Sequence, residues 1–320
     1  MRAVVAARSG GPEVLSIATL PDLAPASGQV RVSVEFAAIT FRDTMLRSGR
    51  ADAPGPFPLV PGNGVGGIVD AVGPGVDPAW IGATVVTTTG GTGGYASAAV
   101  ARVDDLHRVP ARLDLREATA LLADGRTAVG LADAAGIRPG ERVVVSAAAG
   151  GVGSLLVQLS ARRGASVIAL AGNSAKLGLA RELGAASAVD YRATDWLERL
   201  DTVAPDGVDV VFDGVGGDFT AALAGRIRPR GRYLPHGAAG GRWGELDEDG
   251  LAARVVTVIP LSAIGRSSAE LFALVERALE LAARGDIRPI VGQTHPLQHA
   301  ARAHAAIEAR TTIGKTLLIP

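Results

Sequence analysis

The sequence predicts an α/β protein in which a doubly wound parallel sheet is inserted into a strand-rich unit. Three observations predict it. A Val-rich strand runs straight into a glycine turn that opens a helix, at Val143-Val144-Val145-Ser146-Ala147-Ala148-Ala149-Gly150-Gly151-Val152-Gly153. Strand and helix patterns then alternate with short connections, which calls for parallel strands joined by right-handed crossovers. The residues before this run are instead short apolar segments broken by Gly and Pro, the pattern of a compact antiparallel, barrel-like unit.

Taken in order, residues 30–36 alternate, residues 66–72 are apolar and residues 83–88 are branched, so each reads as a strand. A helix over 115–135 leads into the glycine-turn strand. Residues 151–163 form an amphipathic helix on Val152, Leu155, Leu156 and Leu159, and Gly164 stops it. A second apolar strand covers 166–171, a helix covers 174–183 with Gly184 as its stop, and a short strand covers 187–190. Strands at 208–215, 231–237 and 254–260, with a helix at 219–226, complete the doubly wound sheet. Ser267-Ser268-Ala269-Glu270 reads as a capping box before a helix striped by Leu271, Leu274, Val275, Ala278 and Leu281. A helix at 297–310 and a strand at 315–319 return to the first unit, giving domains at 1–121 with 263–320 and at 122–262.

Composition narrows the function. With 320 residues, 48% hydrophobic content and zero net charge, a soluble chain of about two domains is expected. No basic cluster is present to neutralise phosphates, which argues against nucleic acid as a partner. No leader pattern and no apolar run of membrane-spanning length are visible, so a cytoplasmic location is expected. Cysteine is absent, which excludes disulfides, a thiol nucleophile and a thiolate zinc site. The histidines show no H-E-x-x-H spacing, and His295 and His299 read as a loop residue and an exposed helix face. No metal is expected.

The glycine turn carries the chemistry. On the dinucleotide fingerprint G-x-G-x-x-G the first position is Ala148, and Gly150 and Gly153 fill the others. Such a turn lets backbone approach a diphosphate, while the following helix aims its unpaired N–H groups at the anion. An NAD site places Asp or Glu about 20 residues past the first glycine to bond the ribose 2′-hydroxyl. Between Gly153 and Glu182 there is no acidic residue. The second strand ends instead in Gly172-Asn173-Ser174-Ala175-Lys176, where Lys176 supplies a point charge and Asn173 and Ser174 supply donors for a 2′-phosphate. The alternative is a solvated first-turn lysine behind an ordinary Ser174 cap. Lys176 and Lys315 are the only lysines among 32 basic residues, which favours a role for Lys176. NADPH is the expected cofactor.

Motifs along the whole chain resemble those of the medium-chain dehydrogenase/reductase superfamily, and within it the zinc-free NADPH:quinone oxidoreductases of the zeta-crystallin type. They are Ile39-Thr40-Phe41-Arg42-Asp43, Val60-Pro61-Gly62, Gly66-Gly67-Ile68-Val69, Gly73-Pro74-Gly75-Val76 and Gly93-Gly94-Tyr95-Ala96. The 147–153 turn, Gly207-Val208-Asp209-Val210-Val211-Phe212-Asp213-Gly214-Val215-Gly216 and Gly314-Lys315 continue the series. The resemblance implies a GroES-like catalytic domain split around a Rossmann domain. It also implies a homodimer paired through the last strand of the parallel sheet, whose Val-rich edge is a liability in water.

The resemblance further assigns residues. Thr127 is similar to the family threonine at the nicotinamide side; Ala149, Gly150, Gly151 and Val152 resemble the diphosphate turn. Gly172, Asn173, Ser174 and Lys176 stand at the adenosine end, where Tyr191 resembles the tyrosine near the adenosine phosphate, with strand-end packing as its alternative role. Val215, Gly237, Ala238 and Ala239 resemble segments lining the nicotinamide. Where zinc-containing relatives carry Gly-His-Glu, this chain has Gly62-Asn63-Gly64, and where quinone reductases place Asn and often Tyr it has Thr40 and Met45. The Phe41-Arg42-Asp43 segment resembles enoyl-reductase domains of polyketide synthases.

Hydride transfer to a conjugated acceptor leaves negative charge on its oxygen, which needs a donor. The hydroxyls of Thr40 and Thr127 and nearby backbone N–H groups are the candidates, and Asp43 is the nearest titratable group, with a turn or a helix cap as its structural role. Three readings stand: quinone reduction, enoyl or enone reduction in a biosynthetic pathway, and a non-catalytic NADPH-binding protein of crystallin type.

Overall fold

The structure, a computed structural model, describes residues 1–51 and 55–320. It divides into two compact units, Met1–Ala123 with Val275–Pro320, and Asp124–Leu274.

In the first unit lie β1 (Arg2–Ala6), β2 (Leu15–Thr19), β3 (Gln29–Ile39), α1 (Phe41–Ser48), β4 (Gly64–Val72), β5 (Thr84–Thr88), β6 (Ala98–Arg102) and β7 (His107–Arg108). The helix α2 (Leu115–Ala135) carries the chain from the first unit into the second. The second unit then contains β8 (Arg142–Val145), α3 (Gly151–Arg162), β9 (Ser166–Ala171), α4 (Ser174–Glu182), β10 (Ser187–Asp190), α5 (Trp196–Val203) and β11 (Val208–Asp213). It continues with α6 (Asp218–Ala224), β12 (Ile227–Pro235), α7 (Glu248–Ala253) and β13 (Thr257–Val258). The helix α8 (Ser268–Ala283) returns the chain to the first unit, followed by β14 (Val291–Pro296), α9 (Ala300–Glu308) and β15 (Lys315–Ile319).

The second unit is built on a six-stranded sheet in the order β10-β9-β8-β11-β12-β13, with every pairing parallel. The order reverses between β8 and β11, and in such sheets ligands bind outside the carboxyl ends of the strands at that reversal. Val144, Ile168, Leu170 and Val211 on the strands, with Leu200 of α5 and Leu223 of α6, form one of its cores. The expected strands at 166–171 and 187–190 and the helix at 115–135 fall where their patterns place them. The sixth strand is shorter than expected, because Val255 adopts a left-handed φ of 57° and breaks the extended run.

In the first unit a seven-stranded sheet runs β14-β15-β3-β4-β5-β7, with β6 also paired to β3. Its pairings are antiparallel except β14 with β15, and β1 and β2 form a separate hairpin-like pair. The 264–274 stretch belongs to the second unit, where Ile264 and Leu274 pack over Gly130 of α2. The return therefore comes inside α8 rather than at residue 263, the position where the strand pattern runs out. Ser267 caps α8 by accepting from Glu270 N–H at 3.2 Å, while the Glu270 carboxylate accepts from Arg266 N–H at 2.7 Å.

Candidate cofactor and active site

Leaving β8, the chain turns at the carboxyl edge of the parallel sheet. Ala147 carries a φ of 49°, and its carbonyl accepts from Gly150 N–H at 2.8 Å. The left-handed residue is thus Ala147, one position before the Ala148 that the fingerprint aligns to its first glycine. Gly150 is the N-cap of α3 and no side chain caps the helix. Its first-turn amides are left for an anion, which together with the dipole suits a diphosphate. Close packing needs a glycine at 153: a Cβ there would stand 2.3 Å from the Ala147 carbonyl oxygen. Ala149, Gly150, Gly151 and Val152 all lie on this turn and first helical turn, so the structure brings together the residues expected to hold the diphosphate.

At the end of β9 the backbone passes through Gly172 to Asn173, the N-cap of α4, whose Oδ1 accepts from Lys176 N–H at 2.9 Å. The cap is Asn173, and Ser174 is the first helical residue. Asn173 therefore keeps its amide NH₂ as the donor it can offer a ligand. β10 pairs with β9 so that Asp190 lies opposite Ala171, and the next two residues come beside Gly172. The Tyr191 hydroxyl and the Arg192 Nε each lie 3.3 Å from where a Gly172 Cβ would stand. Tyr191 also packs edge-on against Phe219, centroids 5.1 Å apart, so the two roles expected of it are compatible. Arg192, whose guanidinium makes 3.4 Å contacts to Asp190, is a second cation that sequence reading missed. Its signal lay in the β9–β10 register, not in any local spacing.

Val215 and the Gly237-Ala238-Ala239 turn are joined at the carboxyl ends of β11 and β12. Ala239 N–H donates to Gly214 O at 3.2 Å and Gly240 N–H to Val215 O at 2.7 Å. Thr127 is half-buried on α2. These residues and the two turns above all belong to the second unit.

Thr40 and Asp43 belong to the first unit, where they form a reciprocal capping box at the start of α1. Thr40 Oγ1 accepts from Asp43 N–H at 3.3 Å, and the Asp43 carboxylate accepts from Thr40 N–H at 2.7 Å and from the Thr40 hydroxyl at 2.8 Å. The hydroxyl proton of Thr40 is thereby turned toward Asp43. Burial raises the Asp43 pKa, opposed by the Thr40 hydrogen bonds and by the charge of buried Lys315. Beside it the buried Tyr95 hydroxyl pairs with His304 Nε2 at 3.0 Å. Burial drives the Tyr95 pKa well up, reinforced by the Asp43 charge, and drives His304 down to about 3, reinforced by Arg47. A neutral imidazole and a neutral phenol thus support the helix that presents Thr40.

A family model described as an alcohol dehydrogenase GroES-like domain matches residues 26–111, and one described as a zinc-binding dehydrogenase matches residues 183–318. A quinone oxidoreductase of Pseudomonas aeruginosa is 33% identical over 97% of this chain and 97% of its own. The chain belongs to the quinone oxidoreductase family of medium-chain dehydrogenases/reductases. A 2-haloacrylate reductase of a Burkholderia species is 30% identical, over 99% of this chain and 98% of its own. The Escherichia coli quinone oxidoreductase solved in complex with NADPH superposes with a TM-score of 0.92 at 31% identity, covering 100% of both chains.

The zinc-binding name attached to one matching model is not supported by this family member's residues. The chain has no cysteine, and no group of three or more His, Cys, Asp or Glu among the described residues is arranged to hold a metal. In the Gly62-Asn63-Gly64 segment the Asn63 carboxamide oxygen is used to accept from Gly91 N–H at 2.6 Å. No helix among the described residues is long and apolar enough to cross a membrane.

Proposed function

We propose that this quinone oxidoreductase family member is an NADPH-dependent reductase that passes hydride to a quinone or another conjugated carbonyl acceptor. The observation that carries the reading is the uncapped glycine turn at the sheet's reversal point, followed by a β9 end with no acid and two flanking cations. Family membership and the NADPH complex of the E. coli relative support it. When bound, NADPH supplies the hydride and the protein supplies position and electrostatics.

Ala149, Gly150, Gly151 and Val152 hold the diphosphate with backbone amides. Lys176 and Arg192, with the Asn173 amide, Ser174, Gly172 and Tyr191, form the 2′-phosphate side. Val215, Gly237, Ala238, Ala239 and Thr127 surround the nicotinamide. As the acceptor gains hydride its oxygen becomes anionic and needs a hydroxyl donor, for which Thr127 of the second unit and Thr40 of the first are the alternative candidates. Thr40 can serve only by rotating its proton away from Asp43, whose carboxylate then keeps the Thr40 N–H bond alone of the two. Asp43 is thus a positioning residue for Thr40, and solvent completes protonation of the product anion.

The test is NADPH oxidation with 9,10-phenanthrenequinone, benzoquinone and a panel of enones. Turnover of the quinones, with NADPH preferred to NADH by at least about tenfold, is expected for charge-assisted 2′-phosphate contacts. Tight NADPH binding with no turnover on any acceptor would sink the catalytic reading and leave a binding protein. The 2-haloacrylate reductase relative favours α,β-unsaturated acids as a second acceptor class, governed by the same hydride logic.

The protein works in the cytoplasm, where NADPH is regenerated, as a homodimer paired through β13. Val255, Val258 and Leu261 stand 65%, 38% and 38% exposed along that edge, and a second copy would cover them. Light scattering should return twice the 32.4 kDa chain mass. A monomeric mass at micromolar concentration would remove the dimer.

A further inference from the structure

At the carboxyl ends of β8, β11 and β12 sits a carboxylate that belongs neither to the diphosphate turn nor to the adenosine site. Asp213, the last residue of β11, is 1% exposed. Its Oδ1 accepts from the Ser146 hydroxyl at 2.9 Å, Val215 N–H at 2.9 Å and Gly216 N–H at 3.2 Å. Its Oδ2 accepts from the Thr220 hydroxyl at 3.0 Å and the Tyr233 hydroxyl at 2.5 Å. Ser146 in turn accepts from Gly214 N–H at 2.8 Å, so three consecutive amides of the 214–216 turn end on this one carboxylate–serine pair. The Asp213 carbonyl receives His236 N–H at 2.8 Å and Gly237 N–H at 3.3 Å, which fastens the second turn to the first.

A buried carboxylate held by hydroxyls and amides is costly to keep when the basic side chain that feels its charge, His236, is itself pushed down to about 4 by burial and so stays neutral near pH 7. An apolar residue would fill the same core space at lower cost. What an apolar residue cannot do is hold the amides of 214, 215 and 216 on one path, and an amide side chain offers a single acceptor oxygen where five donors converge. The donors come from β8, α6 and β12 as well as the turn itself, so the position of the turn is set by the elements around the sheet's reversal point.

We propose that Asp213 is the positioning residue of the nicotinamide-side turns, fixing Val215 and, through its carbonyl, Gly237–Ala239 at the height the reacting ring requires. The proposal rests on the assignment of these turns to the nicotinamide. Asp213 acts through backbone it holds and touches no ligand itself.

The test compares NADPH with 2′-phospho-ADP-ribose, which shares the adenosine and diphosphate contacts but lacks the nicotinamide. Calorimetric Kd values for both ligands, steady-state kcat and KM, and Tm are measured for the wild type, Ser146→Ala, Asp213→Asn and Leu200→Ala. Leu200, buried on α5 in the core and making no hydrogen bond to the Asp213 cluster, serves as the stability control. Displacing the ring by a fraction of its reaction distance should cut kcat/KM roughly 10- to 100-fold in Ser146→Ala and Asp213→Asn and weaken NADPH, with the fragment Kd within about twofold. Leu200→Ala should lower Tm and leave the ratio of the two Kd values unchanged. If Ser146→Ala and Asp213→Asn shift both ligands alike, or leave both and kcat untouched, the positioning role is wrong. If the wild type binds neither ligand, the cofactor assignment itself fails first, which the fragment measurement makes plain.

Discussion

In Gly153→Ala, NADPH affinity is expected to fall by about two orders of magnitude, the cost of a binding geometry moved by roughly an ångström. The added Cβ would lie 2.3 Å from Ala147 O, 2.9 Å from Ala147 C and 3.0 Å from Ala148 Cα. All three are backbone atoms, so no side chain can swing aside and the turn must open away from α3. Ala147 already holds a left-handed φ of 49°, which an alanine adopts only under constraint. Opening the turn also endangers the Gly150 N–H bond to Ala147 O, and with it the presentation of the helix amides. Titration of NADPH by its own fluorescence reads the effect, with thermal unfolding confirming that the variant is folded. Gly178→Ala on α4 is the matched control, because a Cβ there meets nothing within 4 Å. A folded Gly153→Ala protein with wild-type affinity would show that the diphosphate does not use this turn.

The second large effect concerns the choice of cofactor. Removing both cations in Lys176→Ala/Arg192→Ala should raise KM for NADPH by on the order of 100-fold, since hydrogen bonds to a charged group each contribute about 1.5–3 kcal/mol, while KM for NADH stays nearly constant. The β9–α4 turn has no acid that would then favour the ribose hydroxyls, so NADH should not improve. The Arg192 contribution is the smaller of the two. Its side chain is 62% exposed and shares its charge with Asp190. Raising ionic strength should narrow the wild-type preference for NADPH, because exposed charge pairs are screened. An equal rise in KM for both cofactors would show that the 2′-phosphate is not recognised at this end of the sheet.

Much of the parallel sheet was readable because its signals are local. A branched run such as 166–171, closed by a glycine and followed by a capped helix, specifies a strand and its exit within a dozen residues. The helices α1, α5 and α7 were not foreseen. α5 and α7 are short, of 8 and 6 residues, and are anchored by Leu200 and Leu251 in the core of the second unit. For α1, Asp43 was read as a titratable group or as a turn or cap residue, and its three-residue spacing from Thr40, that of a capping box, was not carried on to a helix. The domain return at 263 followed the end of the strand pattern, whereas packing of Ile264 and Leu274 over Gly130 carries the second unit on into α8.

From residues alone came the glycine turn, the missing acid after β9, the rare Lys176 and the absence of cysteine, and these suffice for the cofactor class and against thiolate zinc. Each is a statement about residue type and short spacing, which the chain carries before it folds. Where the Thr40 proton points, that Arg192 lies beside Gly172, and that Asp213 gathers amides and hydroxyls around it are facts of another kind. Ser146 and Asp213 are 67 residues apart in sequence and meet only because β8 and β11 pair side by side at the reversal of the sheet. Strand order and register create those contacts, and burial makes each of them costly to break; neither exists until the chain has packed.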